Sequence, residues 1–250
     1  MTLDYIFAWM MVFMRAIGIV VQWPLMAGRP FPVTVRLALC ACLATLLAGI
    51  VPVAPVPGVL WAFVSATVME LMLGLALGFV VRAAFAGIEM AGRLMATEIG
   101  LSATPGMGAP EPSSEPIATL LMSFAVVLFF LFGAHQSVLT AFARSFMFAS
   151  AGGAAFEAGA ANSLILATAH LLELGLRIAA PFIAMNFLIS LAFSALGRAV
   201  PKMNVFIVSF SARVLVGFAL LSGAGALIAR YFFVEMGELP LRLLELLPPR

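Results

Sequence analysis

Long apolar runs, each near the thickness of a lipid bilayer when helical, follow one another along almost the whole chain with only short polar interruptions. About 20 residues in a helix cross the roughly 30 Å of hydrocarbon. Lipid offers no partner to an unpaired backbone N–H or C=O, so such runs read as helices. They cover residues 5–23, 33–51, 59–81, 117–132, 163–196 and 205–228. This predicts an all-α, integral membrane-type protein of about six long apolar helices in a single domain. Composition closes off a soluble alternative. Of 250 residues, 64% are hydrophobic and 10% charged, where a soluble domain carries about 25% charged. The net charge of +2 comes from scattered arginines. It forms no basic patch, so nucleic acid is set aside as a partner and membrane lipid becomes the expected surround.

The exceptions inside the runs carry the information, because a charge at membrane depth must face protein or a watery cavity. Arg15 lies mid-way along the first run, and Glu70 lies near the centre of the third. Asp4 at the start, Arg15 inside the run and the lack of an A-x-A site predict that this run is no cleaved leader. Trp9 and Trp23 suit the two interfaces. Gly74 and Gly78 form G-x-x-x-G, and small residues continue at Ala83, Gly87 and Ala91. Together they predict one long close-packing seam. Pro52, Pro55 and Pro57 make a stiff, uncharged connector.

Residues 82–117 are predicted to form a polar-stripe helix followed by a loop. At 100° per residue Arg82, Glu89 and Arg93 fall within roughly 40° of one another, with Glu98 nearly opposite. Glu89 precedes Arg93 by four residues, the favourable order for an intrahelical pair. A self-neutralised stripe on an interfacial helix and a stripe facing a hydrated lumen both satisfy this pattern. The loop that follows holds Ala103, Thr104, Pro105, Gly106, Met107, Gly108, Ala109 and Pro110, then Pro112 and Pro116. No regular element tolerates so many prolines. Glu111, Ser113, Ser114 and Glu115 suit an aqueous loop. A thioether between two glycines is instead a soft, adaptable stopper.

Further along, residues 149–161 read as a small, flexible linker, and Asn162 as the N-cap of the next helix. His170, Glu173 and Arg177 share a face of it. Pro181 predicts a break. Arg198, Pro201 and Lys202 mark a polar boundary, Asn204 opens the last span, and Arg213 lies inside it. Residues 235–250 predict an amphipathic surface tail. The bias of basic residues puts the turn with Arg29 and Arg36, Arg82 and the turn with Arg198 and Lys202 on the cytoplasmic side.

Catalytic chemistry is sparse. Cys40 and Cys42 are two apart, on different faces of a helix. His135 and His170 have no second ligand at helical spacing, and no phosphate loop or nucleophile motif occurs. No enzyme, metal or cofactor is implied. Glu70, Glu89 and Glu98 could serve a small proton-coupled transporter, but the chain lacks paired interrupted helices in matching halves.

Several segments carry a resemblance. G-L-A-L-G-F from Gly74, E-M-A-G-R-L-M from Glu89, E-I-G-L-S from Glu98, the S-E-P-I entry at Ser114 and P-K-M-N-V-F-I-V-S-F from Pro201 resemble the FliR family. This family comprises the export-gate R subunits of flagellar and virulence-type type III secretion. Pro201, Asn204, Phe206 and, further on, Arg213 belong to the family segment. Lys202 stands where Gln is usual, and Ser211-Ala212-Arg213 where Pro and then Lys are common. The resemblance implies one copy joining several P- and Q-type subunits in a pore that passes unfolded flagellar proteins. It also implies contact with other export membrane subunits and the basal-body ring, in the bacterial inner membrane. Residues 103–115 would then project into the lumen as part of a plug, with Arg82, Glu89, Arg93 and Glu98 contacting neighbouring subunits. A virulence-type export gate is the alternative.

Overall fold

A computed structural model describes residues 3–23, 32–101, 116–156, 159–200 and 204–247. They form seven helices: α1 (Leu3–Val21), α2 (Val33–Leu47), α3 (Leu60–Ile99), α4 (Pro116–Leu131), α5 (Ala134–Phe148), α6 (Ala160–Ala199) and α7 (Val205–Leu244). Among the described residues there is no strand, only an isolated bridge between Val53 and Ala151. The expected all-α membrane architecture holds. Four helices (α1, α3, α6 and α7) are long and apolar enough to cross a bilayer, and α4 with α5, bent by 68°, makes a fifth candidate. The bend falls at Gly133, whose φ is +68°.

Helix boundaries differ from the sequence expectation for physical reasons. The third span and the polar-stripe helix are one 40-residue helix, because nothing between Val81 and Ile99 stops it. It ends at Gly100, φ +91°. There the Leu101 N–H donates to Ala96 O at 2.8 Å and the Gly100 N–H to Thr97 O at 3.1 Å, the paired bonds of a Schellman motif. Pro181 does not break α6, nor does Pro240 separate a tail from α7. One missing i→i−4 bond is carried by the intact turns on either side. Asn162 lies inside α6 rather than capping it.

Contacts divide the chain into two compact units, residues 1–84, 129–170 and 235–250 in one and 85–128 with 171–234 in the other. In the first, glycines bring α1 and α3 into backbone contact. A Cβ at Gly18 would sit 2.5 Å from Leu75 N, one at Gly74 would overlap Arg15 O, and one at Gly78 would lie 3.0 Å from Gly18 O. Met11, Val12 and Leu73 fill the buried core of this unit. Gln22 Nε2 adds a 2.7 Å bond to Leu75 O.

Residues 149–153 are no free linker. The Ala151 N–H donates to Pro52 O and the Ala54 N–H to Ala151 O, both at 2.9 Å. The stiff proline connector thus anchors this strand-like segment. Gly152 adopts φ +86°, and a Cβ there would reach within 2.6 Å of the Phe7 ring, so only glycine fits.

In the second unit, Gly87 faces Leu171 O of α6, and Gly92 faces Ala118 of α4 so closely that a Cβ would lie 2.5 Å from its Cα. Ile99 packs on Gly217, and Phe85 meets Phe232 edge-on with centroids 5.5 Å apart. The outer faces of α6 and α7 are left bare: only 22% and 11% of their most apolar windows are buried within the chain.

Candidate functional site

The two charges that the sequence places separately in the first and third apolar runs meet in the first unit. Arg15 and Glu70 are both fully buried. Arg15 Nε donates to Glu70 Oε2 at 2.6 Å, and Nη2 donates to Oε1 at 3.0 Å. This is the two-pronged geometry that suits a planar guanidinium. Most of the remaining bonding capacity is also used. Nη1 donates to Ser145 Oγ at 2.8 Å, Nη2 also donates to Ala149 O at 2.9 Å, and the Phe146 ring lies 3.9 Å beneath the guanidinium carbon. The Gly152 N–H donates to Glu70 Oε1 at 2.8 Å.

An ion pair removed from water is tolerable only when its other donors and acceptors are satisfied, as they are here. The pair ties α1, α3, α5 and the 149–153 segment into one node. The α1–α3 glycine contact makes it possible, since a wider helix separation would lengthen both bonds. Sequence reading found both charges but not their union. Ser145, Phe146 and Gly152 gave no signal beyond lying in or beside an apolar run.

The second unit holds a more open polar track. Asn186 Nδ2 on α6 donates to Glu98 Oε2 on α3 at 2.5 Å, and Arg213 Nη2 on α7 donates to Ser190 Oγ at 3.2 Å. Ser190 Oγ in turn donates to Asn186 O, one turn back, at 2.7 Å. Glu98 and Arg213 are thus linked through an amide and a hydroxyl rather than paired directly. Arg213 Nε is buried with no hydrogen-bond partner among the described residues. Glu98 sits one residue before the last residue of α3, so the track fixes the end of the helix that leads towards residue 102.

The other predicted residues fall as follows. Glu89 and Arg93 bond at 2.7 Å with side chains 41% and 62% exposed. Arg82 is exposed on α3. Exposed pairs of this kind contribute at most about 1 kcal/mol, so stability does not explain the stripe. Asn204 Oδ1 accepts a long 3.5 Å bond from the Ile207 N–H at the start of α7, and Phe206 is 80% exposed. Residues Ala103 to Pro110 and Pro201 lie outside the described residues. His135 packs against Phe129 and Phe130, and its Nδ1 has no partner among the described residues. At the end of α7, Arg242 pairs with Glu235 and Glu238, where it lines a groove of about 410 Å³ with Ser163 and His170.

Apolar helices joined by a buried ion pair and a part-buried polar track define a helical integral membrane protein whose two deepest charges, Arg15 and Glu70, are held by protein. Within that class the chain belongs to the bacterial export proteins, family 1, whose family model matches residues 6–239. It is similar to the flagellar biosynthetic protein FliR of Escherichia coli (strain K12), at 26% identity over 94% of this chain and 92% of the relative. The protein of the same name from Caulobacter vibrioides is 28% identical over 85% of this chain and 86% of its own length. That of Bacillus subtilis is 25% identical over 88% and 86%. The resemblance read from the segments between Gly74 and Phe210 is borne out. The family and the spanning helices place the chain in the bacterial inner membrane.

Proposed function

We propose that this chain is a subunit of the flagellar type III protein export gate. In this reading one copy joins P- and Q-type subunits, other export membrane subunits and the basal-body ring. Together they form part of a closable pore that passes unfolded flagellar proteins across the inner membrane. The role is structural, not enzymatic. The similarity to proteins named for flagellar biosynthesis, running over most of both chains, carries the assignment and favours a flagellar over a virulence-type gate.

Helix lengths support a role inside a protein assembly. Helices α3, α6 and α7 have 40 residues each, about 60 Å at 1.5 Å per residue. That is roughly twice the hydrocarbon thickness, so their charged and polar positions need protein neighbours for part of their length. Residues 103–115 then form a plug, with Met107 between Gly106 and Gly108 as the compliant stopper, and Arg82, Glu89, Arg93 and Glu98 on the side that meets other subunits.

Deleting residues 106–108 tests the plug. The expected result is a several-fold rise in small-ion permeability of cells producing the assembly, with all subunits still co-purifying. Unchanged permeability with normal assembly would overturn it.

A further inference from the structure

The turn between α2 and α3, in the first unit, has a surface unlike the rest of the chain. No charged residue occurs between Arg36 and Glu70. Around the turn Ile50, Val59, Leu60 and Trp61 are 80%, 63%, 75% and 79% exposed. The hydroxyls of this stretch are spent on its own backbone: Thr45 Oγ1 donates to Ala41 O, Ser65 Oγ to Ala62 O and Thr67 Oγ1 to Phe63 O. An apolar surface of this kind is unfavourable in water. A subunit contact ordinarily carries about one hydrogen bond per 100–200 Å², or a seam of small residues. Bulky Ile, Val, Leu and Trp side chains without polar neighbours suit a fluid, non-directional surround instead.

The backbone sets the depth. Pro52, Pro55 and Pro57 carry no N–H, the Ile50 and Val51 N–H groups donate to Leu47 O, and that of Ala54 donates to Ala151 O. The N–H groups of Val53, Val56 and Gly58 make no bond among the described residues. They are too costly for the hydrocarbon core but not for the boundary layer, where lipid carbonyls and water accept. Asp4 gives the same level. Its neighbour Tyr5 lies against Gly49, 3.9 Å from a would-be Cβ, and the Asp4 side chain is exposed. A crevice of about 260 Å³ between α1 and α2, lined by Tyr5, Ile6, Trp9 and Thr45, extends this surface. The Trp9 indole N–H is already bonded to Thr45 Oγ1 at 3.1 Å.

We infer that the α2–α3 turn is seated in the boundary between acyl chains and headgroups of the bilayer rather than in water, with Trp61 as its anchor. The partner is phospholipid. The surface continues the membrane contact of spans α1 and α3, which flank it. An indole at this depth keeps its ring among the chains and its N–H among acceptors. The inference rests on the membrane location of the chain and not on the export-gate reading.

The test follows Trp61 fluorescence in the full chain carrying Trp9→Phe and Trp23→Phe, reconstituted alone and with its export-gate partners in phosphatidylethanolamine–phosphatidylglycerol vesicles. Part of the lipid is brominated either near the headgroup end or near the methyl end of its acyl chains. Expected in both preparations is roughly a twofold loss of emission with shallow bromine, a clearly smaller loss with deep bromine and almost none with iodide in the water. Strong iodide quenching without bromine quenching would place the turn in water and overturn the inference. Shallow-bromine quenching that disappears in the assembly would overturn it too, by assigning the surface to a protein partner. Stronger quenching by deep bromine would contradict the boundary depth. A nitroxide on Val59→Cys, in a chain with Cys40→Ala and Cys42→Ala that keeps its tryptophans, reads the same depth if the tryptophan variant does not fold. Dissolved oxygen is expected to relax it more than a water-soluble nickel chelate, and the reverse order would overturn the inference. A chain that recovers no export subunit refutes the assembly reading and leaves the preparation of the chain alone to decide this one.

Discussion

Replacing Glu70 with leucine is expected to prevent the protein from accumulating, and replacing Arg15 with leucine to do the same. Either change leaves one fully buried charge without its counter-ion, a loss of about 3–5 kcal/mol. Total stabilities run to about 5–15 kcal/mol. In Glu70→Leu the guanidinium keeps only Ser145 and Ala149 O, and the Gly152 N–H loses its acceptor. In Arg15→Leu the carboxylate keeps only Gly152.

The double variant Arg15→Leu with Glu70→Leu is expected to recover most of the lost stability, because an apolar pair removes both desolvation problems. A swapped pair, Arg15→Glu with Glu70→Arg, is not expected to recover. The Ala149 carbonyl beside position 15 is an acceptor and would face a carboxylate. Membrane-fraction yield and detergent melting temperature of the four variants check this. Single-variant losses that simply add in the double variant would show the pair to be uncoupled.

The second large effect is expected at Gly74. A Cβ there meets the backbone carbonyl of Arg15, which cannot swing aside as a side chain could, so Gly74→Ala must push α1 off α3. The cost is expected near the top of the overpacking range, about 3 kcal/mol, with the bidentate pair stretched in consequence. Gly223→Ala on α7 is the matched control. Nothing lies within 4 Å of its would-be Cβ, and alanine is the better helix former by about 1 kcal/mol. Melting temperatures should therefore move in opposite directions for the two substitutions.

What was readable in the sequence is what depends on local spacing. The apolar runs set the helices, Gly74 and Gly78 announced a close backbone contact, and Glu89 with Arg93 announced their own bond through i,i+4 geometry. What was hidden depends on chain-distant meetings. Arg15 and Glu70 are 55 residues apart, and nothing in either run names the other as partner. The signal available was only that each run held one unexplained charge of opposite sign.

Asn186 and Ser190 were invisible for a different reason. Small polar residues in apolar helices usually bond their own backbone, as Ser190 does, so their type does not reveal a cross-helix role. Pro181 misled because the rule that proline ends a helix weakens where the alternative is bare backbone in lipid. The 149–153 segment misled because its small residues signal close packing as readily as flexibility.

A subunit that lines a conduit for unfolded protein must touch its cargo in transit, and that contact can be trapped. A photo-activatable residue at position 107, and separately at Phe187 on the bare face of α6, would be exposed to light in cells holding a stalled export substrate. Adducts between substrate and position 107, with none from position 187, are the expected result. Substrate adducts absent from position 107 while the assembly is intact and the substrate is stalled would contradict it.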